Sequence, residues 1–321
     1  MLRNSSKRVF QRFCTPIKDP SSRAFKSTLK TSSHYYQNIT TVTESHIRRQ
    51  KTYYLGLDIS SSKTGYSILN ENGKAIECGL IDTSHITSLQ QFGLFMKENF
   101  RNISQRYTGS SSNDDEWIVG AEEFLLKFKS TSSANTIAKL ANCNTLACYE
   151  CANELPVTKL LKLNVRAARS FFLIKEADKS KQANKTIKKQ VFNALIHLLP
   201  STYQVRYTRN GDVHESNYDV TDSLLIALYT FVRYNVCDKN IESLLRLIQE
   251  HKDESFKNQF IELSNTMNPD ETSTMNDSQK IRYIVSNYET AKDHLFTIFK
   301  KKIQKEYTSK FNINTRAKVE I

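Results

Sequence analysis

Short apolar runs separated by turn residues predict that the folded part of the chain opens with three strands. Tyr53–Ile59 and Thr64–Leu69 each have a strand pattern, and a short Ser-rich turn joins them. Asn70–Gly73 ends in an Asn-Gly pair, a strong hairpin signal, and Ala75–Asp82 follows as a third strand. Because such short connections join antiparallel neighbours, we expect an antiparallel start to the sheet.

Helical spacing of apolar residues then alternates with two more short apolar runs. This order predicts an α/β fold with a five-stranded mixed sheet flanked by helices. Residues 238–321 have helical patterns only, broken by a polar loop at 267–278, and predict a helical C-terminal extension. The predicted helices cover Thr87–Tyr107, Ser132–Asn153, Ala183–Leu199 and Tyr218–Val236, and the later strands cover Trp117–Glu122 and Pro156–Asn164.

Charge separates a first segment from the rest of the chain. Residues 1–51 hold eleven Lys and Arg against two acids, so they carry +9 of the net charge of +13. We therefore divide the chain into a leader and linker (1–51), a sheet domain (52–237) and the helical extension (238–321). A basic balance favours a polyanionic partner, and the absence of an apolar run of 18 residues argues against a membrane span.

The first segment is typical of an organelle transit peptide. It is rich in Arg and Ser, poor in acids, and can place Leu2, Val9, Phe10 and Phe13 on one face of a helix. Early arginines favour the mitochondrial matrix, with the plastid as the alternative. The other interpretation is a basic arm that binds nucleic acid directly.

The six cysteines are too few for a disulfide scaffold. Cys148 and Cys151 form a CxxC pair shortly after Cys143, but no second pair or His pair follows at zinc-site spacing. Their segment has a helical pattern. We therefore expect small core residues rather than zinc ligands.

Four acids lie at the ends of predicted elements in apolar surroundings: Asp58, Glu122, Asp219 and Asp222. Asp219 and Asp222 are three residues apart on a helix and so share a face. Buried carboxylates that converge repel each other unless a cation neutralises them. Oxygen ligands suit Mg²⁺ or Mn²⁺, and two such ions can support phosphodiester hydrolysis.

Two of these assignments have simpler alternatives. Glu123 competes with Glu122 because neighbouring strand residues face opposite sides of a sheet. Asp219 could only be a carboxylate that stabilises a helix N-terminus. A separate basic stretch, Lys159–Lys189, is either a DNA-binding surface or a solvated helix face.

Five motifs resemble the RuvC-type Holliday junction resolvases. LGLDISSSKTGYSIL resembles their opening strand and turn, and VGAEEFLL resembles their second acidic motif. SSANTIAKLANCNTLACYECANELPV, ANKTIKKQVFNAL and YDVTDSLLIALY resemble the later helix and strand, the Lys-bearing helix and the final acidic helix. The motifs occur in the family's order and cover about residues 53–235.

The resemblance implies an RNase H-like fold and a homodimer that nicks four-way DNA junctions symmetrically with two Mg²⁺ ions per active site. It implies metal-ligand roles for Asp58, Glu122, Asp219 and Asp222, and a role beside the scissile phosphate for Lys185. An organellar address agrees with the mitochondrial and plastid members. The residues that we expect to contact DNA are Phe124, Arg166, Arg169, Lys181, Lys185, Lys188 and Lys189.

Two positions depart from the family pattern. Ser60 stands where a glycine usually follows the first Asp by two residues, so the turn is expected to differ. The junction-stacking aromatic corresponds to Leu125 here, with Phe124 and Phe128 beside it, so the wedge is displaced.

Two other function classes are compatible with parts of the pattern. A sugar kinase or actin-like ATPase also opens with a strand and an Asp, but it needs a later Gly-rich phosphate loop, and the chain has only eight glycines, none of them clustered. A non-catalytic component of an organellar nucleoid or ribosome could keep the fold, but retention of all four acids favours the nuclease.

Overall fold

The computed structural model describes residues 51–107, 115–123, 134–174, 181–237, 254–276, 279–280, 283–284 and 287–313. All of them belong to one compact unit, Arg49–Ile321. The proposed transit peptide and Phe124 lie outside the described residues.

A five-stranded mixed sheet forms the centre of the unit, as the sequence predicted. Its strand order is β3-β2-β1-β4-β5. β1 pairs antiparallel with β2, and β2 with β3, whereas β1–β4 and β4–β5 are parallel. This order and these directions are those of an RNase H-like sheet. The strands are β1 (Thr52–Ile59), β2 (Lys63–Leu69), β3 (Ala75–Asp82), β4 (Glu116–Glu122) and β5 (Val157–Leu163).

Nine α-helices are found among the described residues. They are α1 (Leu89–Tyr107), α2 (Ala134–Glu154), α3 (Val165–Phe171), α4 (Lys181–Leu195), α5 (Ser216–Cys237), α6 (Glu254–Met267), α7 (Pro269–Thr272), α8 (Tyr288–Ile298) and α9 (Lys300–Lys310). The sequence patterns missed α3 entirely. They also extended α4 too far, because it gives way to a 3-10 turn at Ile196–Leu198. The predicted polar loop at 267–278 contains the short α7, where Asn268 caps the first turn.

The two faces of the sheet are covered by different helices because side chains alternate along each strand. Tyr53, Leu55 and Leu57 pack with α1 and α2, whereas Tyr54 packs with α5. Cys143, Cys148 and Cys151 are buried free thiols on α2, which confirms their interpretation as core residues.

Helix α5 lies directly on the sheet because two strands present glycine where it crosses. A Cβ at Gly56 of β1 would overlap the carbonyl oxygen of Ser223 and the backbone of Ala227. A Cβ at Gly65 of β2 would overlap the carbonyl group of Asp219. Any side chain at these positions would therefore hold the helix away from the strands.

The described part of the C-terminal extension packs into the core of the sheet domain. Phe296 of α8 stacks on Phe171 with ring centroids 5.8 Å apart. Phe311, which follows α9, packs edge-on against Phe231 of α5 at 5.9 Å. Among the described residues, no helix has the length and apolar character that a membrane crossing requires.

Candidate active site

The ends of two parallel strands bring the first two acids together. Leu57 of β1 pairs with Ala121 of β4, so Asp58 and Glu122 follow side by side at the same edge. Glu122 is partly buried, whereas Glu123 is exposed and its N–H donates to the Leu163 carbonyl at 2.8 Å. Glu122 is therefore the member of the pair that belongs to the acid cluster.

The start of α5 supplies the other two acids on the same face of the sheet. The close contact at Gly65 holds the backbone of Asp219 against β2. Asp222 lies one helical turn further on and is only 4% exposed. The glycine contacts thus place both aspartates beside the strand ends that carry Asp58 and Glu122.

Burial and neighbouring charges shift the pKa values of three carboxyls in the cluster, those of Asp58, Glu122 and Asp222. Burial, and then the charges of Asp222 and Glu122, raise the pKa of Asp58 well above its ordinary value. Burial and the charge of Asp222 also raise the pKa of Glu122. Burial raises the pKa of Asp222, although Arg169 and Lys188 oppose this shift. The cluster therefore holds more negative charge than the protein alone neutralises.

Two basic side chains partly neutralise the cluster. Arg169 of α3 donates to Oδ1 of Asp222 at 3.2 Å, and Lys188 of α4 donates to Oδ1 of Asp219 at 3.0 Å. Burial disfavours the Lys188 ammonium, but the charges of Asp219 and Asp222 outweigh this effect and raise its pKa. The site is thus a compact set of four acids and two cations.

The donor chemistry of the four acids fits Mg²⁺ or Mn²⁺, which prefer carboxylate oxygen. Within the described parts of the chain, however, no group of three or more His, Cys, Asp or Glu side chains is already arranged to hold a metal ion. Asp219 and Asp222 instead face Lys188 and Arg169. The metal-ligand assignment therefore stays a prediction.

The turn after Asp58 is closed by a side chain instead of a glycine. The hydroxyl of Ser60 donates to the Lys63 carbonyl at 2.7 Å and accepts from the Lys63 N–H at 3.0 Å. No residue from Ser60 to Lys63 has a positive φ, so this turn does not need the glycine that the family pattern has. Ser60 thereby fixes the connection between Asp58 and β2.

A second layer supports Glu122 and was not found from the sequence. The Asn144 amide on α2 is buried and donates to the Glu122 carbonyl at 3.2 Å. The Lys162 ammonium of β5 donates to Oδ1 of Asn144 at 2.6 Å. In the sequence, the signal for Asn144 is a single polar residue on the otherwise apolar face of α2.

The structure separates the expected DNA-contacting residues into groups. Arg169 and Lys188 lie in the acid cluster, Arg166 is exposed on α3, and Lys189 is partly exposed on α4. Lys181 and Lys185 fall in the first two turns of α4, where the structure describes the backbone alone. Among the lysines of α4 whose side chains the structure describes, Lys188, which the sequence placed only among the DNA contacts, is the one that bonds an acid of the cluster.

Asp58→Asn is expected to raise the melting temperature at neutral pH in the absence of divalent ions. The amide removes a charge that burial and neighbouring acids oppose. A carboxyl whose pKa is higher in the folded than in the unfolded state destabilises the fold once it ionises, so stability is lost as the pH rises. Each kcal/mol regained is worth about 2–4 °C in a chain of this size.

The stabilisation should shrink as the pH falls below the ordinary Asp pKa of about 3.9, where the wild-type carboxyl becomes protonated in both states. Calorimetry of both proteins between neutral and acid pH measures this, with exposed Asp212→Asn as the control. Equal melting temperatures of Asp58→Asn and wild type at neutral pH would contradict the electrostatic account.

Comparisons with known proteins return structural similarities only. No protein-family model matches the chain. No curated protein matches it either. Among solved structures, Thermus thermophilus RuvC in complex with a Holliday junction is 12% identical, with 57% of this chain and 96% of that chain covered at a TM-score of 0.34.

Two further structures match at a similar level. A second Thermus thermophilus RuvC structure is 11% identical, with 58% of this chain and 97% of that chain covered at a TM-score of 0.33. The yeast mitochondrial Holliday junction resolvase Ydc2 is 12% identical, with 56% of this chain and 76% of that chain covered at a TM-score of 0.34. Because these similarities are low, the activity of this chain is inferred from the residues of its own acid cluster.

Proposed function

We propose that this chain is an endonuclease that resolves four-way DNA junctions by hydrolysing phosphodiester bonds. The observation that supports it best is the convergence of Asp58, Glu122, Asp219 and Asp222 at one edge of the sheet, with raised pKa values at three of them. Such a cluster is costly for the fold, and functional sites are where this cost is usually found. The motif resemblance favours the junction as the substrate.

The cofactor in this proposal is Mg²⁺, with Mn²⁺ as a substitute and two ions per active site. Asp58, Glu122, Asp219 and Asp222 would hold them. When bound, such ions supply an activated water and stabilise the leaving oxygen, which leaves a 5′-phosphate. The protein's own part is to hold these carboxyls close together in a partly enclosed site, where a bound cation would favour their ionised forms.

Arg169 and Lys188 serve two purposes in this proposal. They offset the repulsion among the acids, because Arg169 pairs with Asp222 at 3.2 Å and Lys188 pairs with Asp219 at 3.0 Å. They also place positive charge next to the position of a bound phosphate, where it stabilises charge that develops during hydrolysis. Lys185, one turn before Lys188 on α4, keeps the same proposed role.

The DNA arms would be held by phosphate contacts outside the acid cluster. Arg166 and Lys189 lie on α3 and α4, the two helices that also supply Arg169 and Lys188. Contacts of this kind position a duplex without reading its sequence. We further propose a homodimer with two such sites in the mitochondrial matrix, on the basis of the motif resemblance and the basic first segment.

The experiment is cleavage of an immobile four-way junction by the wild-type protein in Mg²⁺, with a linear duplex of the same sequence in parallel. We expect paired nicks in opposing strands of the junction, products that DNA ligase reseals, and no cleavage of the duplex. Equal cleavage of both substrates would indicate a general nuclease. Binding of the junction without cleavage would instead favour the non-catalytic alternative.

A further inference from the structure

The last described helix, α9, concentrates positive charge that the candidate active site does not use. Its sequence, KKKIQKEYTSK, has five lysines and one glutamate. Ile303 is buried and fixes one face of the helix on the core. Lys301, Lys302 and Lys305 are exposed.

Helix α9 is bonded to the helix that supplies the active-site arginine. The Gln304 side-chain amide donates to the carbonyl oxygens of Ser170 and Phe171 at 3.1 Å and 2.5 Å. These residues end α3, and the residue before them, Arg169, donates to Asp222 at 3.2 Å. The basic face of α9 is therefore linked to the acid cluster through α3, because Gln304 bonds the end of that helix and Arg169 of the same helix bonds Asp222.

A groove of about 470 Å³ opens beside Gln304. Among the described residues its lining contains no acid, and it consists of Leu173 and Ile313 together with the polar Lys301, Gln304, Lys305, Thr308, Ser309 and Asn312. Ammonium, hydroxyl and amide groups are the donors that proteins use for phosphate oxygens. Lys301 and Lys305 are four residues apart, so they project from the same side of α9 with Cβ atoms about 6 Å apart.

We propose that this groove is a second phosphate-binding surface, which holds the backbone of a DNA duplex arm as it leaves the active site. The inference rests on the proposed function, since it takes DNA as the partner. Two cations on one helix face can contact neighbouring phosphates of a single strand. The exposed Arg166 lies on α3, the helix whose end Gln304 contacts.

The test compares Lys301→Gln/Lys305→Gln with the matched control Lys51→Gln/Lys74→Gln. Lys51 and Lys74 are also exposed, but they lie at the end of the sheet opposite Asp58. Binding of an immobile four-way junction is measured by fluorescence anisotropy without divalent ions, at several salt concentrations. Both variants lose two charges, so a difference between them reports position and not net charge.

We expect the groove variant to bind roughly ten-fold more weakly than the control. Loss of two phosphate contacts should also lower the slope of log K against log salt by about 1.8. Its melting temperature should match that of the control. Equal affinities and slopes for the two variants would overturn the inference, even if the wild type cleaves junctions. Failure of the wild type to cleave would instead count against the proposed function, and the cleavage assay detects that outcome independently of these binding measurements.

Discussion

Glu122→Gln is expected to reduce junction cleavage by about three orders of magnitude, which corresponds to about 4 kcal/mol of transition-state stabilisation. The amide keeps the size of the side chain but removes the negative charge that interacts with Asp58 and Asp222 at the strand ends. Loss of one anionic oxygen ligand weakens the hold on an ion that activates water. Cleavage rates in Mg²⁺ measure the effect, and we expect junction binding to survive.

Glu123→Gln is the matched control because it makes the same change one residue along the strand end. Glu123 is exposed, and its backbone N–H donates to the Leu163 carbonyl. Its cleavage rate should stay within about two-fold of wild type, as is usual for surface substitutions. Mg²⁺ should also raise the melting temperature of Glu123→Gln but not of Glu122→Gln. The reverse pattern would assign the metal site to Glu123.

Gly56→Ala is expected to destabilise the protein by about 3 kcal/mol or more and to lower its melting temperature by roughly 6–12 °C. The new methyl group would meet backbone atoms of Ser223 and Ala227, which cannot rotate away. Helix α5 must therefore shift, and Asp222 must shift with it. Thermal unfolding measures the loss of stability, and cleavage activity should fall together with it.

Gly79→Ala distinguishes this effect from a general intolerance of strand glycines to substitution. The atoms nearest to a methyl group at Gly79 are ring and hydroxyl atoms at the far end of the Tyr66 side chain, which can shift more readily than the backbone that Gly56 faces. We expect its melting temperature to stay within a few degrees of wild type. Similar losses in both variants would show that the helix contact is not what restricts Gly56.

The elements that could be predicted from the sequence are those in which a local pattern and the final packing agree. β1 to β3 are short apolar runs separated by turn residues, and the hairpin between β2 and β3 has the expected turn, with Gly73 at φ 80°. From Leu224 to Val232, helix α5 is apolar at every position except Thr230, and all of these residues are buried. The acids at its start stand out against that apolar background.

The elements that could not be predicted depend on packing. Helix α3 has 7 residues, too few for a helical period to be visible, and its start depends on the Asn164 side chain, which caps Arg166 at 3.0 Å. Lys185 and Lys188 are one turn apart on the same face of α4, so the sequence pattern cannot tell which of them lies closer to the acids. The position of Lys188 follows from burial of Ile187 and Val191 against α5.

The aromatic contacts of the C-terminal extension have a consequence for how far the chain can be shortened. Phe171 and Phe231 are at most 3% exposed, and Phe296 and Phe311 of the extension pack on them. In a protein that ended at residue 237 this face would meet water, where exposed aromatic rings promote aggregation. The described part of the extension is therefore part of the folding unit, and a chain cut after residue 237 is expected to aggregate.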